Sequence, residues 1–216
     1  MKTILLIDSG YLKNIFKNNG KYYDVDGIEE ISKHIISSIK AQQPSLDLLR
    51  ILFYDCLPYS GEVILPVSKQ KKQFSGRDCI MGNLALRDYF ATRKGTLKFR
   101  GWTLKQSSYT KTILSDDDFE PSFEQKGVDM RIGLDISQYS YDRSVEHIIL
   151  ISNDTDCIPA MKCARKNGIK MSLVSIEKAK IAPELKCHAD FVYDVNFPKT
   201  SSKIKNFFIT KTPINK

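Results

Sequence analysis

The 216-residue chain predicts an α/β fold of three layers, a mainly parallel central sheet with helices on both faces. Three observations carry this. Short apolar runs rich in branched side chains recur along the chain, denser than a strand with one wet face would need. Helical stripes separate most of them, and strands that alternate with helices imply crossover connections and parallel neighbours. The length allows a single domain burying about 70% of its unfolded surface.

Taken in order, TILLID (3–8) is the first strand, LLRILFYD (48–55) the second, HIILIS (147–152) a third, IKMSLVS (169–175) a fourth and FVYDV (191–195) a shorter fifth. Residues 26–41 form a helix with Ile28, Ile31, Ile35 and Ile39 on one stripe, and 126–140 another with Val128, Ile132, Ile136 and Tyr139. Further helices are expected over 156–167 and 178–188. Residues 56–125 break the rhythm: a helix around 79–93, a strand or hairpin near 97–105, and a loop through SDDDFEPSFEQ, where no periodicity is visible. The expected organisation is one domain over 1–195, with 56–125 as a basic elaboration, and a basic C-terminal tail over 196–216.

No run approaches the ~18 apolar residues of a membrane span, and the start MKTILLIDSG lacks the features of a signal peptide, so a cytoplasmic protein without a membrane partner is expected. Five cysteines form no CxxC, and three histidines show no zinc spacing, which favours free thiols. The net charge is +8 but unevenly spread. Residues 61–114 carry eleven Lys/Arg against three acids, and 115–160 carry eleven acids against three Lys/Arg. A basic surface beside an acidic pocket suits a polyanion held next to cations, although two solvated faces would show the same pattern.

In an open parallel sheet the ligand site lies beyond the carboxyl ends of the strands, where strand order reverses. Asp8 ends the first strand, Asp154 and Asp156 follow strand 147–152, and Asp129 opens the helix before it. If strands 3–8 and 147–152 are neighbours, these four carboxylates meet. Two carboxylates about 6 Å apart repel by roughly 3 kcal/mol at an effective dielectric near 20, so such a cluster calls for a cation. Carboxylate oxygens suit Mg²⁺ or Mn²⁺. Each acid alone also suits a helix cap; Asp8 and Asp154 both stand where one is wanted. The two common glycine-rich phosphate cradles and the GxSxG elbow are absent, and position 10, where a DxD motif needs its second acid, is Gly10.

ILLIDSGYL (4–12), FYDC (53–56), KGVDMRIGLDI (126–136) and ILISNDTDCIPAMKCARKNGIKMSLVS (149–175) resemble the NYN domain, the LabA-like branch of the PIN-like nuclease superfamily. The resemblance implies a three-layer, Rossmann-like PIN fold over about residues 1–195 and a metal-dependent endoribonuclease using Mg²⁺ or Mn²⁺. Carried onto matching positions, it makes Asp8, Asp129 and Asp154 the catalytic, metal-holding acids, with Asp156 completing the site. Lys126 and Ser152 would hold the scissile phosphate at the rim. Asp135, about 240° around the helix from Asp129, points elsewhere, and Asp55 is peripheral. The chain departs from the pattern at Tyr11, where many members carry Asn, and at Asn153 and Cys157.

Lys69, Lys71, Lys72, Arg93, Lys94, Lys98 and Arg100 are expected to contact phosphate, Arg100 and the 69–72 cluster foremost, with single-stranded RNA or structured RNA bearing unpaired bases as the partner. Phe74, Tyr89, Phe90, Phe99 and Trp102 are either stacking platforms or core. Two other functions stay open: an inactive RNA- or partner-binding module on the same fold, and a nucleotide-binding regulator. An edge strand or the tail could also pair two copies.

Overall fold

The structure is a computed structural model describing residues 1–199. It contains a seven-stranded sheet. Strand β1 (Lys2–Asp8) lies between β2 (Asp47–Cys56) and β7 (His147–Ile151); β8 (Lys170–Ile176) and β9 (Phe191–Val195) continue beyond β7. On the other side β5 (Phe90–Leu104) joins β2, and β6 (Phe119–Lys126) joins β5. All pairings are parallel except that of β5 with β6.

The continuous apolar runs mean two buried faces. Leu5 and Ile7 of β1 enter one core with Ile51, Phe53, Ile149 and Ile151, under helices α1 (Ser9–Asn18) and α2 (Val25–Gln42) and the single turn α3 (Met81–Leu84). Ile4 and Leu6 enter the other with Leu52, Tyr54, Ile148 and Leu150, under α4 (Val128–Tyr141), α5 (Ile158–Lys166) and the short α6 (Pro183–Lys186). The predicted three layers are present. β2 lies on one side of β1 and β7 on the other, so the order reverses at β1, the place where open sheets bind ligands.

Several expectations fail, each for a local reason. The helix expected over 79–93 is only Met81–Leu84, because the chain turns at Tyr89 (φ 68°) and enters β5 at Phe90. SDDDFEPSFEQ is not a loop: Asp116–Asp118 make a 3-10 turn under a Ser115–Asp118 capping box, and 119–126 is β6. Pro121 hid that strand from a pattern search and is tolerated because β6 is an edge. The helix expected over 178–188 shrinks to Pro183–Lys186, since Glu177 and Lys178 both have positive φ and Pro183 sets the start. Helix α1, for which Asp8 stood as a cap, starts at Ser9, and the hairpin β3 (Ser60–Ile64) with β4 (Lys71–Ser75) was not anticipated. Of the tail, Phe197 packs edge-on against Phe16 with centroids 4.9 Å apart; residues 200–216 lie outside those described.

Candidate active site

Ile7 pairs with Ile151 in neighbouring parallel strands, so the chain beyond Asp8 and the chain beyond Ile151 leave the sheet side by side. Asp8 caps α1: its Oδ1 accepts from the backbone N–H of Gly10 (2.9 Å) and Tyr11 (3.4 Å). Its Oδ2 accepts from the Ser152 hydroxyl (3.1 Å), whose oxygen in turn accepts the Asp154 N–H at 3.1 Å. Asp154 caps the next turn, Oδ1 accepting from Asp156 N–H at 2.9 Å. One buried hydroxyl therefore ties the ends of β1 and β7 together.

Asp129 arrives from α4. Gly127, at φ 79°, is the only residue between β6 and that helix, and its left-handed backbone is one that glycine adopts without cost. Burial pushes the Asp129 carboxyl up from its ordinary range, and the charges of Asp154, Asp8 and Asp156 and a hydrogen bond with Asp154 push it further. Burial also raises Asp8, against its three hydrogen bonds, with the Asp154 charge adding to the rise. Cys157, fully buried, has its thiol pushed up to about 12 by burial and then by Asp154, Asp8 and Asp129. Four carboxylates from three elements thus share one field. Backbone donors orient Asp8 and Asp154, and among the described residues no three His, Cys, Asp or Glu side chains stand as a metal-ligand set.

Ser152 is not at the rim. It is 1% exposed with its hydroxyl committed on both sides, so it orients Asp8 and leaves nothing for a phosphate. Lys126 ends β6 three residues before Asp129 and pairs with Glu124, which also takes Arg100. Lys69, Lys71 and Lys72 sit on the separate hairpin β3–β4 and bond within that region. Lys69 donates to the Pro66 carbonyl (2.7 Å), Lys71 pairs with Glu62 (2.9 Å), and Lys72 lies over the rings of Phe74 (5.6 Å) and Trp102 (5.8 Å). Phe90 is core, while Phe74, Phe99 and Trp102 join Tyr59 and Phe123 in a satellite cluster holding the hairpin on β5 and β6.

Asp135 does point elsewhere, taking the Tyr54 hydroxyl (2.7 Å) and the Arg93 guanidinium (2.8 Å). Two neighbours of the acids, Gln125 and Tyr23, had no signal in the sequence, and Tyr11, singled out there as a departure, is a third. Gln125 brings its Oε1 within 3.6 Å of where a Cβ on Gly10 would be, although β6 is three strands from β1. Tyr23 shares a hydrogen bond with Ser9 (2.9 Å), and Tyr11 reaches the Lys180 carbonyl at 3.5 Å. No linear spacing encodes the approach of Gln125.

Residues 64–196 match the NYN domain family. The chain belongs to the NYN family. NYN domains are members of the PIN-like nuclease superfamily, whose nucleases typically use divalent metals. The matched stretch contains Lys126, Asp129, Asp154 and Asp156; Asp8 precedes it. A solved structure of a protein of unknown function from Vibrio parahaemolyticus RIMD 2210633 is similar at 13% identity and TM-score 0.48, covering 90% of this chain and 92% of that one. No curated protein matches. No helix among the described residues is long and apolar enough to cross a membrane.

Proposed function

We propose that this NYN domain is a metal-dependent endoribonuclease acting at the carboxylate cluster, with residues 1–195 as one nuclease domain and 56–125 as its elaboration. One observation carries the reading: at the switch point of the sheet the Ser152 hydroxyl joins Asp8 to the Asp154 backbone, and Asp129 lies close enough that burial, then the charges of Asp154 and Asp8, raise its carboxyl. All the donors are carboxylate oxygens carrying excess negative charge, which fits a hard divalent cation, and Asp8, Asp129 and Asp154 would hold Mg²⁺ or Mn²⁺ with Asp156 beside them. When bound, such a cation supplies positive charge to the phosphate oxygens and acidifies water. The chain's own residues orient. Ser152 and the backbone N–H groups of Gly10 and Tyr11 fix Asp8, Asp156 N–H fixes Asp154, and Lys126 stands where its ammonium can leave Glu124 for a phosphate.

Asp8→Asn and Asp154→Asn are expected to keep the circular dichroism of the parent while losing Mn²⁺-dependent cleavage of a mixed RNA pool by at least about 100-fold, the scale of a lost electrostatic stabiliser. Equal cleavage by variants and parent would overturn the reading. RNA binding without Mn²⁺ uptake by calorimetry would mark a binding module instead.

A further inference from the structure

β5 outruns its parallel neighbour. Its last pairing with β2 is Cys56 with Gly95, and from Thr96 to Leu104 it pairs only with β6, so the two form a ribbon standing beyond the carboxyl edge of the sheet. The two faces of this ribbon differ. One carries Leu97, Phe99, Trp102, Phe123 and Gln125, with the hairpin β3–β4 packed over its rings. Phe99 and Trp102 are three residues apart, a spacing that simple alternation would put on opposite faces. A bulge between Phe99 and Gly101, with Gly101 at φ 112°, restores both to the same side.

The other face carries Lys94, Lys98 and Lys126, and the bulge directs Arg100 there as well, onto Glu124 opposite Lys98. All four cations are exposed, and among the described residues neither Lys94 nor Lys98 has an ion-pair partner. Alternate residues on a strand repeat at about 6.8 Å. That repeat is close to the spacing of successive phosphates in an extended single strand. The track begins near the acids, because Lys126 lies only three residues before Asp129 in the chain.

We propose that this face of the ribbon, and not the hairpin with Lys69, Lys71 and Lys72, holds the sugar-phosphate backbone of single-stranded RNA beside the carboxylates. The assignment rests on the endoribonuclease reading of the site. A line of cations with no ring exposed between them reads backbone and not sequence, so binding is salt-dependent and tolerant of base identity. Glu124 partners Arg100 and Lys126 in the free protein and yields them to phosphates.

The test is fluorescence anisotropy of a labelled twelve-nucleotide oligouridine in EDTA, where no cleavage can occur, across a salt series. Loss of two phosphate contacts in Lys94→Gln/Lys98→Gln is expected to lower the slope of log K against log salt by about 1.4, which is about 25-fold weaker binding at 0.1 M salt and nearly none at 1 M. Lys69→Gln/Lys71→Gln on the hairpin, and Lys162→Gln/Lys166→Gln on α5, are expected to change neither. An unchanged slope in the Lys94/Lys98 variant overturns the proposal. So does tighter binding of a duplex of the same length. Because no metal is present, a ribbon-dependent slope without any cleavage in Mn²⁺ would sink the nuclease reading and leave the track standing; cleavage with an unaltered slope would do the reverse.

Discussion

The centre of the sheet and the ribbon at its edge use the same strand geometry to opposite ends. β1 and β7 are buried on both faces, so they offer function nothing but their termini, and there Asp8 and Asp154 sit. The β5–β6 ribbon is buried on one face at most, and what it offers is the length of the other, with Lys94, Lys98 and Arg100 spaced along it. Termini of rigid strands fix a few carboxylates closely. Faces of exposed strands space side chains along a line.

The contrast can be broken by substitution. Leu6→Ala, at a fully buried site in the middle of the sheet, is expected to cost about 3 kcal/mol or more in urea unfolding, whereas Trp102→Ala, half-buried in the satellite cluster, should cost about 1 kcal/mol and mainly free the hairpin for proteolysis. Equal costs would mean that the ribbon belongs to the main cooperative unit.

The foot of the central sheet also has a pH signature of its own. His147 is fully buried, its Nε2 2.6 Å from the Ser172 hydroxyl and its Nδ1 without a partner among the described residues, and burial, then Lys170, lowers its pKa from 6.5 to about 4. Above pH 6.5 both folded and unfolded forms are neutral there. As pH falls from 6.5 toward 4 the unfolded chain takes a proton that the folded one refuses, so stability declines, by up to about 3 kcal/mol in all. The raised carboxylates Asp8 and Asp129 act in the opposite sense, so the quantity to measure is the difference between the parent and His147→Gln across that window; a flat difference would refute the assignment. The smallest stability effect belongs to Gly10→Ala. A Cβ there would come within 3.3 Å of Asp8 Oδ1, so the expected result is under about 1 kcal/mol in unfolding with a several-fold loss of cleavage.

The same contrast explains what the sequence could reveal. Strands buried on both faces are continuous apolar runs, so β1, β2, β7, β8 and β9 were legible to within a residue or two, and so were the acids at the ends of β1 and β7. β6 reads FEPSFEQK, half polar and broken by Pro121, because half of it faces water. Missing β6 meant missing its register with β5. Without that register neither the pairing of Arg100 and Lys126 through Glu124 nor the sorting of rings from cations could be seen. Ser152 was legible as a neighbour of the acids, but its direction, inward to Asp8, follows from packing.

Gly127 is the whole connection between β6 and α4. With one residue in the joint, the first turn of α4 cannot shift far from the end of β6, so the position of Asp129 is tied to that of an edge strand. Lengthening the joint by a few flexible residues would release that tie.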